Sequence, residues 1–338
     1  MTKNKLKISF VLTGICLLSM QLSAQTITVV AQKPGSGFRG LSVVDDSVAW
    51  VSGTKGTVGL SKNGGKTWDW KPVAGFEKSD FRDIEAFSAK EAIIMSAGTP
   101  AVILKTIDGG ESWQVKYNNA DPAYFFDAMD FSSTNEGWVM GDAINDKLML
   151  LHSKDGGETW QIAESLPLAA KGEGAFAASG TCLRSINDHI MMVTGGFATY
   201  FIDGYAKSLK WEKHPLPFPK SKASQGAFSI AQGKNSLVIA GGDYNNDQRS
   251  DSTACYSIDK GKTWQLADKP VLGFQSCVEY LYKGIFLSTG TPGSNLSTDG
   301  GKTWTKIDQA SFNVCRKAKR GKLVLLAGAS GNIGIFKL

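Results

Sequence analysis

Cysteine and histidine are scarce in this chain, and a metal centre built from them is correspondingly disfavoured. Five cysteines and three histidines occur among 338 residues, and no two cysteines form a CxxC pair. The histidines are scattered along the sequence at His152, His189 and His214. A zinc site of Cys and His ligands therefore has little support, and we expect neither a metal nor a cofactor.

The cysteines are also too few to form a structural disulfide framework in a chain of this length. One, Cys16, lies in the apolar N-terminal stretch described below. The other four are Cys182, Cys255, Cys277 and Cys315. We expect these four to be buried thiols in strands, and the sequence leaves open whether any of them are paired.

Strong charge of one sign is missing as well. The formal net charge is +6, and Lys3, Lys5 and Lys7 contribute three of the 37 basic residues, which leaves 34 against 31 acidic residues. This near balance argues against a nucleic-acid-binding protein. Gly-Lys-Thr triplets such as Gly65-Lys66-Thr67 lack the glycine that a P-loop requires five residues before their Gly, so nucleotide binding is also disfavoured.

Only one long apolar run occurs, and it lies at the N-terminus. Three lysines precede it, it extends from Ile8 to about Leu22, and Ser23-Ala24 follows. This order is typical of a secretory signal peptide, so we predict a signal peptide at residues 1–24 and a single domain at residues 25–338. The mature chain is then expected to be periplasmic or extracellular, without stable insertion in a membrane.

A short pattern ending in tryptophan recurs along the chain. It has the form Ser/Thr-x-Asp/Asn-x-Gly-x-Ser/Thr-Trp, and its copies end at Trp68, Trp113, Trp160, Trp264 and Trp304, with a degenerate copy ending at Trp211. The intervals of 40 to 53 residues are typical of propeller blades. Asp-Gly and Asn-Gly favour tight hairpin turns, so each copy is predicted to join two strands.

A second repeat gives the number of blades. Apolar strands that end in glycine occur seven times, at residues 48–53, 92–98, 137–141, 189–195, 237–241, 284–290 and 323–328. The last repeat is one strand short, whereas Thr26–Ala31 is an unassigned strand at the other end of the chain. We therefore predict an all-β, seven-bladed propeller of four-stranded blades, closed by the N-terminal strand on the last blade.

The tryptophan hairpins resemble the Asp-box, or bacterial neuraminidase repeat. This repeat occurs in sialidases, in sortilin-type receptors and in the photosystem II stability/assembly factor family, and in overall layout the chain looks most like exported relatives of the last. The resemblance implies a propeller fold, with the Asp-box residues serving as scaffold. Because the repeat is found in proteins of unrelated function, it implies no particular activity.

Strand parity predicts where a site would lie. Loops of a four-stranded antiparallel blade alternate between its two faces, so the Asp-boxes share one face and the entries to the innermost strands share the other. We expect a ligand to bind at the channel mouth on that second face. The candidate residues are Arg39, Arg82, Asp83, Phe126, Asp127, Glu173, Asp243 and Tyr244. In the alternative interpretation, Arg39, Asp83 and Asp127 form a solvated salt-bridge ring.

The favoured function is an exported, non-catalytic binding or assembly-type propeller whose loop face binds an exported protein, a peptide or a glycan. The rival is an exo-sialidase-like glycoside hydrolase, because Phe38-Arg39 and Phe81-Arg82 resemble the Phe-Arg of the sialidase arginine cluster. That chemistry requires three arginines, a Tyr nucleophile with a Glu base, and an acidic Asp. Arg249 is a possible third arginine, and Arg316, inside an innermost strand, is a weaker one.

Overall fold

The computed structural model describes residues 26–337, which form seven antiparallel sheets arranged as the blades of a propeller. Blades 1 to 4 contain β2 (Phe38–Val43), β3 (Ala49–Gly53), β4 (Thr57–Ser61) and β5 (Asp69–Pro72); β6 (Asp80–Ala86), β7 (Ala92–Ala97), β8 (Ala101–Thr106) and β9 (Gln114–Asn119); β10 (Phe126–Phe131), β11 (Gly137–Ile144), β12 (Lys147–Ser153) and β13 (Gln161–Ile162); and β15 (Leu183–Ile186), β16 (His189–Val193), β18 (Tyr200–Tyr205) and β19 (Trp211–Pro215). Blades 5 to 7 contain β20 (Gln225–Gln232), β21 (Leu237–Asp243), β22 (Ala254–Ser257) and β23 (Gln265–Leu266); β24 (Cys277–Tyr282), β25 (Ile285–Gly290), β26 (Gly293–Ser297) and β27 (Thr305–Asp308); and β28 (Val314–Lys317), β29 (Val324–Ala327), β30 (Asn332–Lys337) and β1 (Thr26–Gln32). Two short strands, β14 (Glu173–Gly174) and β17 (Gly195–Gly196), extend the inner edge of blade 5.

The burial of each strand depends on its position in the blade. The second strands, such as β3 and β7, are buried almost throughout, because both of their faces pack against neighbouring blades. The fourth strands, such as β5 and β13, are largely exposed. The core therefore lies between blades: Trp50 of blade 1, for example, packs in one cluster with Ile84 and Val102 of blade 2. The seven glycine-ended runs predicted from the sequence are these second strands.

The N-terminal strand closes the ring as predicted. β1 pairs antiparallel with β30 as the outer strand of blade 7, with Ile27 opposite Phe336. Ile27, Val30 and Ala31 pack against the core shared by blades 6, 7 and 1. The first and last strands of the described chain are thus paired in one sheet, and β1 supplies the fourth strand of blade 7.

The Asp-boxes are the hairpins between third and fourth strands. In blade 3, Asp155 Oδ1 accepts hydrogen bonds from Ser153 Oγ (2.9 Å) and from the Thr159 amide (2.9 Å), and Oδ2 accepts one from Thr159 Oγ1 (2.6 Å). These bonds lower the pKa of Asp155 to about 2. Trp160 Nε1 donates to the carbonyl of Gly157 at 3.2 Å. Each box therefore satisfies its own turn, which fits a scaffold.

The four cysteines among the described residues are buried free thiols, and Cys277 Sγ lies 3.7 Å from Cys315 Sγ. Within the same part of the chain, no helix is long and apolar enough to cross a membrane. The signal peptide predicted at residues 1–24 falls outside the described residues.

Candidate binding face

A segment of blade 4 fills the centre of the propeller. The chain leaves β14 and runs through residues 175–181, here called the plug, before it enters β15. Ser179 Oγ donates to the carbonyl of Ser276 on blade 6 (2.7 Å), and Thr181 Oγ1 donates to Ser229 Oγ on blade 5 (2.6 Å). Since the plug also reaches blades 1, 2 and 7, as described next, it lies across the central channel.

Three arginines from three different blades hold the plug. Arg39 Nη1 of blade 1 donates to the carbonyl of Ala178 at 3.2 Å, and Arg82 Nη1 of blade 2 donates to that of Ala177 at 3.3 Å. Arg316 Nη2 of blade 7 donates to the carbonyl of Gly180 at 3.4 Å. These contacts satisfy plug carbonyls that could not reach a sheet partner.

Asp83 and Asp127 lie beneath the plug and are fully buried. Asp83 accepts hydrogen bonds from the amides of Ile84 (2.8 Å) and Met129 (2.7 Å), yet its burial raises its pKa well above the usual value. Burial and the nearby Asp142 carboxyl raise the pKa of Asp127 in the same direction. Neither carboxyl is at the surface, so the solvated ring considered as an alternative is not formed. Phe126 is likewise a buried core residue.

Glu173 and Asp243 are buried and locally satisfied. The Glu173 carboxylate accepts bonds from the Ala170 amide (2.7 Å), Thr194 Oγ1 (2.7 Å) and Lys213 Nζ (2.7 Å). The Asp243 carboxylate accepts bonds from Ser224 Oγ (2.7 Å) and Gln225 Nε2 (3.1 Å). Both carboxylates are therefore engaged within the protein, and neither residue lines the recess described next.

Arg39 and Arg82 remain partly exposed, and together they form one side of a recess at the mouth. This recess has a volume of about 470 Å³ and is lined also by Asp80, Asn313 and Ser330. A separate cavity at the opposite end of the channel has a volume of about 330 Å³. Asp80 Oδ2 pairs with Arg82 Nε at 2.7 Å. Burial, and the positive charge of Arg82, lower the pKa of Arg39. Two guanidinium groups against one carboxylate leave the recess positively charged.

Tyr244 is the most exposed of the predicted residues, with 49% of its surface accessible. Its ring packs edge-on against Phe176 of the plug and against Phe228, each with centroids 6.2 Å apart. Phe176 and Phe228 are stacked at 3.7 Å. Tyr244 follows β21, so it lies on the same face as the recess. Phe176 lies two residues before Ala178, whose carbonyl accepts the hydrogen bond from Arg39, so the plug connects the aromatic patch to the recess.

Sequence reasoning missed Asp80 and Phe176. Asp80 precedes the Phe-Arg motif by one residue, and its i, i+2 spacing from Arg82 on a strand was a usable signal. Phe176 gave no such signal, because its position depends on the path of the plug across the channel.

The opposite mouth, on the Asp-box face, is occupied by paired charges. Arg184 Nη2 lies 2.9 Å from Glu279 Oε2, and Lys319 pairs with Glu85. Burial raises the pKa of Asp130 to about 6, although Arg184 opposes this shift. Four basic side chains, Arg184, Arg316, Lys317 and Lys319, line this mouth with three carboxyl groups, so most of its charges are paired with one another.

The arginine geometry gives no support to the glycosidase alternative. Only Arg39 and Arg82 line the recess. Arg249 Nη2 lies 2.5 Å from its own loop neighbour Asp251, and Arg316 lines the opposite cavity. The third arginine of a sialidase cluster is thus not brought to the other two.

Comparison with known proteins agrees with this architecture. Residues 95–181 match the profile of the photosynthesis system II assembly factor YCF48 family, and residues 296–306 match the BNR/Asp-box repeat. The chain is an Asp-box propeller that resembles the photosystem II assembly factors. The photosystem II stability/assembly factor HCF136 of Oryza sativa subsp. japonica is 37% identical over 73 residues, which are 21% of this chain and 17% of that protein. The match therefore spans less than a fifth of that relative.

Solved structures extend the likeness of this Asp-box propeller over nearly its whole length. A structure described as YCF48 bound to D1 peptide covers 93% of this chain and 97% of its own, with 15% identity and a TM-score of 0.64. YCF48 from Cyanidioschyzon merolae covers 92% and 98%, with 16% identity and a TM-score of 0.66. A GH74 xyloglucanase from Xanthomonas campestris covers 92% and 53%, with 14% identity and a TM-score of 0.60. At these identities, the likeness shows the fold alone.

Proposed function

We propose that this chain is a non-catalytic binding propeller that holds a peptide segment of a partner protein at the plugged mouth. The observation that carries the proposal is the positively charged recess of Arg39 and Arg82, on the same face of the propeller as the exposed ring of Tyr244. A planar guanidinium binds a carboxylate through two parallel hydrogen bonds, and an exposed tyrosine offers a large, rigid contact surface. The recess therefore suits a C-terminal carboxylate or an acidic side chain of the peptide.

The blocked channel supports this interpretation. With the plug across the axis, a ligand has access to a shallow face and not to a deep enclosed pocket, and shallow faces with charged and aromatic anchors are suited to peptides. The structural neighbour described as bound to a D1 peptide is a propeller of the same fold, which is consistent with peptide binding by this one.

We also propose that this chain is exported, and that its partner is therefore an exported protein. The support is the order of basic residues, apolar run and small residues at positions 1–24. N-terminal sequencing of the protein recovered from an extracytoplasmic fraction tests this. A mature N-terminus near residue 25 is expected, and recovery of the intact chain from the cytoplasm alone would contradict export.

The binding proposal is tested with peptides selected from a random library displayed with free C-termini. A selected peptide is then synthesised in two forms, with a free C-terminal carboxylate and with a C-terminal amide. The affinity of each form is measured by fluorescence anisotropy. Replacement of Arg39 and Arg82 together by Gln should weaken binding by roughly tenfold or more, because it removes two charge-assisted contacts. Amidation should weaken binding of a peptide that uses its terminal carboxylate.

Arg316→Gln is the matched control. Arg316 also donates to a plug carbonyl, but it lines the opposite cavity and not the recess. If Arg316→Gln lowers affinity as much as the double variant does, the arginines act through the plug, and the recess is not the site. Undiminished binding by a folded double variant, or turnover of a fluorogenic sialoside by the wild type, would also contradict the proposal.

A further inference from the structure

Two of the three histidines, which are far apart in the sequence, meet on one face of blade 4. His189 lies on β16, Asp203 on β18, and Glu212 and His214 on β19. In the sheet register, His189 is opposite Tyr205, Asp203 is opposite Glu212, and His214 is opposite Phe201. Because residues two apart on a strand share a face, the register brings all four side chains to the same side of the sheet.

Three of these side chains lie close enough together to share one metal ion. The ligand atoms of Asp203, Glu212 and His214 all lie within 4.8 Å of one another. His214 Nε2 is 3.5 Å from Asp203 Oδ1 and 3.8 Å from Glu212 Oε2. In a tetrahedral zinc site with bonds of about 2.0–2.1 Å, neighbouring ligand atoms are about 3.3 Å apart. Small side-chain rotations would therefore place these three atoms around one ion.

Asp203 carries the second observation. Its Oδ1 is buried and accepts no hydrogen bond from the described part of the chain, although it points at His214. A buried carboxylate oxygen without a partner is costly, and a bound cation would satisfy it. The other oxygen, Oδ2, lies 2.9 Å from His189 Nε2. A metal-bound carboxylate is commonly held by a hydrogen bond of this kind from outside the ligand set.

We propose that blade 4 contains a binding site for a divalent transition metal, with zinc as the representative ion. The ligands are His214 Nε2, Asp203 Oδ1 and Glu212 Oε2, and His189 orients the Asp203 carboxylate. Imidazole and carboxylate together suit zinc and its neighbours in the first transition series. Two carboxylates balance the charge of one divalent ion, while Lys210, Lys260 and Lys262 line the same groove and oppose it.

The location of the site separates it from the proposed peptide face. The cluster lies in the stems of the degenerate hairpin that ends at Trp211, on the side of the propeller that carries the Asp-boxes. This hairpin has Ala206 where the other boxes have Asp or Asn, so it lacks the side chain that stabilises their turns. A metal bridging β18 and β19 would supply a cross-link at this one blade. Metal binding at this site requires no peptide, and the proposal does not rest on the proposed function.

The test uses untagged mature protein, stripped of metal with a chelator and titrated with Zn²⁺ alone by isothermal titration calorimetry. Wild type should bind one equivalent and melt at a higher temperature with zinc, since a ligand that binds only the folded state stabilises it. His214→Gln should abolish this binding. Glu212→Gln, at a side chain that is 79% exposed, should weaken it without loss of fold. His189→Gln should weaken it by about 10–100-fold, as expected for an orienting partner.

His152→Gln is the control, because His152 is the remaining histidine and lies on blade 3. It should bind zinc as the wild type does. The proposal is overturned if wild type binds no zinc, if Glu212→Gln and His214→Gln both bind with unchanged affinity, or if His152→Gln lowers the affinity as much as they do.

Discussion

Gly180 lies directly against the carboxyl group of Asp83. A Cβ on residue 180 would be 2.2 Å from that carboxyl, and the residue has a φ of +66°. The plug therefore fits the channel only with glycine at this position. This contact couples blade 4, which supplies the plug, to blade 2, which supplies Asp83.

Gly180→Ala is expected to destabilise the protein by about 2–5 kcal/mol, because overpacking adds to the cost of a left-handed backbone. Gly75→Ala is the matched control: its φ is +82°, and a Cβ there would meet nothing within 4 Å. That variant should lose only about 1–2 kcal/mol. Denaturant unfolding measures both, and equal losses would mean that the plug is not packed against Asp83.

Asp127→Asn should make stability less dependent on pH. Burial, together with the nearby Asp142 carboxyl, raises the folded-state pKa of Asp127. A raised folded pKa gives stability that is complete below the unfolded value, about 3.8, and is lost as pH rises through the folded value. Asparagine does not titrate, so the stability of the variant relative to wild type should increase from pH 5 to pH 8. A constant difference across that range would contradict the assignment.

Asp155 gives a prediction of opposite sign. Its folded-state pKa is lowered to about 2, so its contribution is present above the unfolded value and is lost as pH falls from about 4 toward 2. Asp155→Ala should cost about 1–2 kcal/mol at neutral pH, through lost turn hydrogen bonds. Thermal melts of this variant and of wild type should converge as the pH is lowered through that range.

Blade 1 supplies the control for Asp155. There Asn63 takes the place of the aspartate: its Oδ1 accepts from the Thr67 amide at 2.9 Å, and its Nδ2 donates to Thr67 Oγ1 at 2.8 Å. Asp155→Asn should therefore keep most of the stability that Asp155→Ala loses. If Asn is as damaging as Ala, the turn hydrogen bonds are not the source of the effect.

Closure by β1 can be tested without deleting the strand. Ile27 and Val30 pack on the core, whereas Thr28 and Val29 face solvent. Ile27→Ser with Val30→Ser should lower stability by about 1–3 kcal/mol, through lost burial of apolar surface. Thr28→Ser with Val29→Ser should leave the melting temperature nearly unchanged. If the two pairs melt alike, β1 does not complete blade 7 in solution.

The fold could be predicted because its signals are local and repeated. Three local features recur at a regular spacing: the Asp-Gly turns, the tryptophan after each of them and the glycine after each second strand. The number of blades and the closing strand could be predicted from this repetition. The binding face was only partly predicted. Parity predicted that Arg39, Arg82 and Tyr244 lie on one face, and their role in binding stays a prediction.

The plug and the histidine cluster could not be predicted, because both depend on contacts between distant residues. The plug has the composition of a loop that enters a blade, and only its contacts with five other blades show that it crosses the channel. That path buries Asp83 and Asp127, which the sequence placed at the mouth. His189 and His214 are 25 positions apart and meet through antiparallel register.

The most direct test of the account is amide hydrogen exchange of the protein with and without a selected peptide. Peptide binding at the plugged mouth should slow exchange at residues 35–39, 79–82 and 176–178 and in the loop after β21. The Asp-box hairpins on the opposite face should exchange as in the free protein. Protection confined to the Asp-box hairpins, with no change around Arg39, Arg82 and Tyr244, would contradict the proposal that this protein binds its partner at the plugged mouth.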